Sequence, residues 1–369
     1  MIRNTIAFTI IFILSLHLNL YGKETIKIDD TKLKQMIGQM LIIGFDESVI
    51  SDNSPIVKYI EKYNIGGVIL FDRFYTDRNK IKNIKSPQQL QLLTSKLKEY
   101  SKNKLIISID QEGGKVQRLK SNYGFPSTPS AKKIAKKSIT EAKKSYTTLA
   151  QMLSQNGINC NFAPVVDLSV NKNNPVIERL ERSYGETPQV VTNYATVFID
   201  ALDSQKILSV LKHFPGHGSS KDDSHKGFVD VTDTWNKIEL EPYKNLIKNS
   251  KAKMIMTAHV FNKHLDPNYP ATLSYKINTE LLRKELGYKG VIVSDDLQMK
   301  AIAEHYTLQD TVTLVINAGV DILLFGNQLS VQNTDQLINT IYSQVKNGSI
   351  SYERIIESNK RIEKLKQEI

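Results

Sequence analysis

The stretch Leu211–Gly227, LKHFPGHGSSKDDSHKG, crowds ionisable and flexible residues together. Lys212 and His213 close an apolar run; Pro215, Gly216 and Gly218 then favour a loop, and Asp223 stands two positions before His225. A carboxylate at that spacing can hold an imidazole, fix its tautomer and favour its protonated form, which suits a proton shuttle near neutral pH. The same loop admits a metal cage of His213, His217, Asp223 and His225, although the spacing matches no zinc pattern. A purely structural loop is a third reading.

Two further segments carry carboxylates. GVIVSDDLQMK sets Asp295 at the tip of an apolar run, where a sugar ring or a metal could meet it. Asp296 is expected to turn away toward the following helix, and the pair could simply cap that helix. IDQEGGKVQRL ends a second run at Asp110 and continues through Gly113-Gly114 to Arg118. Asp110 can accept hydrogen bonds from hydroxyls and Arg118 offers a rigid fork of donors; alternatively, Glu112 and Arg118 pair across the loop. No GxGxxG or GxxxxGK[ST] pattern is present, which argues against a nucleotide enzyme.

Eight short apolar runs must position these groups, and they end at Asp46, Asp72, Asp110, Asp167, His213, His259, Asp295 and Gly326. Their unbroken apolar character suits parallel strands covered on both faces. Amphipathic segments lie between them, for example Ile134 to Leu153. Eight strand–helix units predict a single (β/α)8 barrel of the TIM type, with a doubly wound open sheet as the alternative. Seven of the eight runs end in Asp or His, and a barrel gathers its chemistry at the carboxyl ends of its strands. The final segment, SYERIIESNKRIEKLKQ, reads as a helix packed outside the barrel.

Composition bounds the setting. With 369 residues, 40% hydrophobic, the chain can bury a sizeable core. Cys160 is the one cysteine, so neither an internal disulfide nor a cysteine-based zinc site is possible. The net charge of +11 comes from lysines spread along the chain; they suit a solvated surface or attraction to an acidic polymer such as cell wall or membrane surface. Without aromatic-basic interleaving, nucleic acid is not an expected partner. Residues 1–22, with Arg3 before an apolar run, have the layout of a signal peptide, leaving 23–369 as one domain exported to the periplasm or beyond. Thr9, Ser15, His17 and Asn19 interrupt that run, whereas a membrane anchor needs about 20 apolar residues, so no stable insertion is expected. A monomer is expected.

KHFPGHG followed four residues later by DSH, together with DQEGGKVQR, RSYG, MTAHV, PATLS and VIVSDDLQM, resembles glycoside hydrolase family 3 in its β-N-acetylglucosaminidase branch. The resemblance runs from about Met36 to Gly326. It implies a barrel that removes terminal β-linked N-acetylglucosamine with retention, without a cofactor. Carried over by motif, Asp295 matches the nucleophile, His225 the proton donor and acceptor, and Asp223 the carboxylate assisting it. The sugar-binding positions correspond to Asp110, Arg118, Arg182, Lys212 and His213. Lys115 replaces an arginine frequent in the family, and NPVIERLERSYG offers both Arg179 and Arg182, of which Arg182 directly precedes SYG. The family's wall-recycling members are intracellular, so a leader points instead to wall fragments or chitin-type oligosaccharides met outside. A phosphorylase using the same site, a metal-dependent hydrolase on the histidine loop and a non-catalytic wall-binding barrel are the rival expectations.

Overall fold

Each apolar run enters a strand that is buried along its whole length. The computed structural model describes residues 29–369, and the leader expected at 1–22 lies outside the described residues. The strands are β1 (Leu41–Gly44), β2 (Gly67–Leu70), β3 (Ile106–Ile109), β4 (Cys160–Asn161), β5 (Leu208–Phe214), β6 (Met254–Thr257), β7 (Val291–Val293) and β8 (Leu323–Phe325). They pair in parallel in the order β8-β1-β2-β3-β4-β5-β6-β7. A parallel bridge between Val293 and Ile322 brings β7 back to β8 and closes the barrel. Closure removes both edges, and the doubly wound alternative with them.

Helices between the strands cover the outside, and local chemistry sets their ends. Ser138 and Glu141 cap each other reciprocally, so the helix expected from Ile134 spans Ile139–Gln155 instead. Ala131–Ile134 forms a separate short turn, with Ser130 as its own cap. The fourth run also departs from expectation: β4 stops at Asn161, well before Asp167. Pro164 lacks an N–H to continue the ladder, and beyond it only Val165 bridges to Lys212.

β5 bears two adjacent polar residues, Lys212 and His213, that both face the cavity at the barrel mouth. Neighbours on a regular strand point to opposite faces. Here the register between β5 and β6 shifts between Leu211 and Phe214, which lets both turn the same way.

At the opposite end, Asp321 ties the last helix, Tyr352–Lys366, to the barrel. The carboxylate is fully buried and accepts from Arg283 at 2.5 Å, Arg354 at 2.7 Å and Arg361 at 3.1 Å. Asp321→Ala would strand three guanidinium groups around a void. Unfolding in urea should show a loss of about 3–5 kcal/mol, the scale for a buried pair that loses one partner.

Candidate active site

A cavity of about 480 Å³ opens at the carboxyl ends of the strands. Asp110, Arg118, Arg182, Lys212, His213, Asp223, His225 and Asp295 all line it. The structure therefore brings together every site residue expected from the sequence.

Most of the charge at this mouth is mutually compensated. Lys212 Nζ donates to Asp110 at 2.9 Å and to Glu112 at 2.8 Å. Arg182 grips Glu112 with a fork, Nε at 2.8 Å and Nη2 at 2.7 Å. Arg118 donates to Asp110 at 3.1 Å and lies over the Phe71 ring. The anticipated Glu112–Arg118 pair is thus replaced by two others, because the hairpin Gln111–Gln117 turns Glu112 inward toward Arg182. Burial would raise the Asp110 carboxyl, but Lys212 and Arg118 outweigh it and hold it well below the usual range.

Asp167 organises the next layer. It accepts the His213 backbone N–H at 3.2 Å, the His213 ring Nδ1 at 2.7 Å and the His217 backbone N–H at 2.8 Å. His213 Nε2 faces Arg182 Nη2 at 3.3 Å, an obligate donor, so the neutral ring carries its proton on Nδ1. Burial and the Arg182 charge push the His213 imidazole well below its ordinary value, in keeping with that assignment.

Asp295 sits differently. Its Oδ1 accepts the Asp296 N–H at 2.8 Å, and among the described residues no cation forms an ion pair with it. Burial would raise this carboxyl, yet the imidazoles of His259, His213 and His225 together lower it, so it is ionised. His259 is itself oriented, with Nε2 2.9 Å from the Asp296 carbonyl and Nδ1 2.8 Å from Thr272 Oγ1. Asp296 does not simply turn away, as expected. It lines the same cavity while its Oδ1 accepts from Gln298 N and Gly326 N, and burial pushes it up to about 6.

His225 and Asp223 close the cavity from the loop. Asp223 Oδ1 lies 2.9 Å from His225 Nδ1 and 3.0 Å from the His225 backbone N–H. The hydrogen bond from His225 lowers the Asp223 carboxyl. The metal-cage expectation fares poorly against these contacts. His213 is held by Asp167 and Arg182, His217 by Ser220 and Ser224. Among the described residues, no group of three or more His, Cys, Asp or Glu side chains is arranged to hold an ion.

Residues 31–365 match the family model described as the glycosyl hydrolase family 3 N terminal domain. The chain belongs to glycosyl hydrolase family 3. It is 34% identical to beta-hexosaminidase A of Pseudoalteromonas piscicida, with 91% of this chain aligned to 61% of that one. It is 32% identical to an uncharacterized secreted glycosyl hydrolase of Arthroderma benhamiae, over 85% of this chain and 87% of the relative. Among solved structures, a family 3 beta-N-acetylglucosaminidase from a Paenibacillus strain superposes with a TM-score of 0.81 at 33% identity, covering 91% of this chain and 62% of that one. The chain thus spans less than two thirds of the length of the Pseudoalteromonas and Paenibacillus proteins.

Glu112, Asp167, His217, His259 and Asp296 support this family 3 site; from the sequence, Glu112 is expected only as an ion-pair partner, His217 only as a metal ligand and Asp296 only as a helix cap. Asp167 and His259 were signalled as run ends. Glu239 had no such signal. It lies under the loop base, fully buried, where its Oε2 accepts the Gly218 N–H at 3.0 Å. Burial pushes its carboxyl up to about 7, against about 4.3 in an unfolded chain. Between those values the native state keeps a proton that the unfolded chain has released, so stability falls as pH rises. The loss reaches about 4 kcal/mol above pH 7, at about 1.4 kcal/mol per pH unit. Glu239→Gln removes this dependence while retaining an oxygen for Gly218 N. Urea unfolding should find it more stable than the parent chain at pH 8 and little changed near pH 4.5.

Proposed function

We propose that this chain is an exported, retaining exo-β-N-acetylglucosaminidase that hydrolyses terminal β-linked N-acetylglucosamine from wall fragments or chitin-type oligosaccharides. Asp295 carries the reading. It is a half-buried, ionised carboxylate that, among the described residues, has a single backbone hydrogen bond and no cation paired with it. Asp110, by contrast, is tied to two cations. A free carboxylate suits attack on an anomeric carbon; a doubly paired one suits holding hydroxyls.

In the first step Asp295 bonds to the anomeric carbon as the glycosidic C–O bond breaks, and His225 passes its proton to the departing oxygen. In the second step His225 takes a proton from water, whose oxygen displaces Asp295 and restores the enzyme. Asp223 stabilises the imidazolium that precedes the first step and forms again in the second, the part an orienting carboxylate plays for any catalytic histidine. Asp110, Arg118, Arg182, Lys212 and His213 hold the sugar. The domain is residues 23–369, and the leader together with the secreted relative supports export. Phosphate could replace water in the second step, since an imidazole repels it less than a carboxylate would. Sugar 1-phosphate formed on adding phosphate would report that route.

Asp295→Asn should leave the melting temperature unchanged and lower kcat on aryl N-acetylglucosaminides by roughly 10³-fold or more. His225→Ala should cost far more on substrates with poor leaving groups than on activated aryl glycosides. Equal losses on both classes would contradict the proton-donor role. Chelator treatment that abolished turnover, with Asp295→Asn still active, would contradict the whole reading.

A further inference from the structure

The base of the loop that bears His225 is firmly held. Asn174 Nδ2 donates to the carbonyls of His217 and Gly218 at 2.8 and 3.1 Å. Asp167 accepts the His217 N–H at 2.8 Å and Glu239 the Gly218 N–H at 3.0 Å. The tip, residues 221–227, is not held in this way. Lys226 N bonds the Asp223 carbonyl, and Asp223 bonds His225, both inside the tip. Among the described residues, one hydrogen bond joins the tip to the rest of the molecule: Ser224 Oγ lies 3.3 Å from His217 Nε2. Ser224 is also the one buried residue between Lys221 and Phe228, while Lys221, Asp222, His225 and Lys226 are exposed.

The proton arrangement makes this contact directional. Ser220 Oγ donates to the His217 carbonyl at 3.0 Å and lies 2.7 Å from His217 Nδ1. Both contacts are satisfied when Nδ1 carries the ring proton, which leaves Nε2 bare to accept the Ser224 hydroxyl. Burial lowers the His217 imidazole and keeps the ring in this neutral form.

We propose that His217 and Ser224 form a latch that holds the tip closed and so keeps His225 over the reacting bond. The two are positioning residues, and the proposal rests on His225 being the proton donor. A single neutral hydrogen bond shifts a loop equilibrium by roughly tenfold. That is enough to favour closure, yet weak enough to open for product release.

The full chain carrying Ser224→Ala tests this beside Ser224→Thr and His225→Ala. Ser224 is buried, but its hydroxyl makes one hydrogen bond at a loop tip, so its loss should lower the melting temperature by no more than about 4 °C. The latch requires kcat/KM on alkyl N-acetylglucosaminides to fall about threefold in Ser224→Ala, since a tenfold shift takes the closed fraction from about three quarters to about one quarter, with the dinitrophenyl glycoside unchanged. Trypsin should also nick the tip after Lys221 or Lys226 several times faster. Ser224→Thr keeps a hydroxyl and should restore both properties. If either signature is missing while His225→Ala retains its dependence on leaving group, the latch is wrong and the acid/base reading stands. If His225→Ala itself loses both substrate classes equally, the acid/base reading fails and the latch falls with it.

Discussion

Ionised side chains at the mouth of a barrel must be compensated within the protein, because burial makes an unpaired charge costly. Here that constraint shapes the cavity. Asp110, Glu112, Lys212, Arg118 and Arg182 form a connected network in which every charge has a partner at hydrogen-bond distance. The network makes a rigid, polar wall suited to a substrate rich in hydroxyl groups. Against it, Asp295 is the exception: its carboxyl lies below the usual range beside His259, His213 and His225, none of which forms an ion pair with it. Its lone pairs stay available.

The buried carboxylate of Asp167 connects the wall to the loop. Asp167 holds His213, which faces the cavity, and the backbone of His217, where the loop begins. The loop base is further fixed by Asn174 and Glu239, and its tip reaches over the cavity carrying Asp223 and His225. In the proposed mechanism the proton donor on this arm approaches the leaving oxygen and withdraws, while the proposed nucleophile stays at a strand end. The division of labour follows from the fold: strands position what must be fixed and the long connection after β5 carries what must travel.

Much of this was legible in the residues themselves. Parallel strands buried on both faces have to be continuously apolar, so the polar residue that ends each run marks the barrel rim; Asp110, His213 and Asp295 were found that way. The pairing of Asp223 with His225 needed only their spacing. What the sequence did not reveal depends on tertiary neighbours. Glu112 has Arg118 six residues away but chooses Arg182, which lies far along the chain. Lys212 and His213 share a face because of a register shift that leaves no mark in residue type. Asp296 lines the cavity while accepting the Gly326 N–H at the end of the neighbouring strand β8, again a contact distant in sequence. Arg182 became visible through its motif alone, since no periodicity singles it out.

The central claim is that Asp295 becomes covalently bonded to the sugar. The most direct measurement is peptide mass spectrometry of the enzyme trapped with a fluorinated N-acetylglucosaminyl fluoride. A slow-turning glycosyl adduct is expected on the peptide containing Asp295, with the product released in its original anomeric configuration. An adduct on a different side chain, or a product of inverted configuration, would contradict the account.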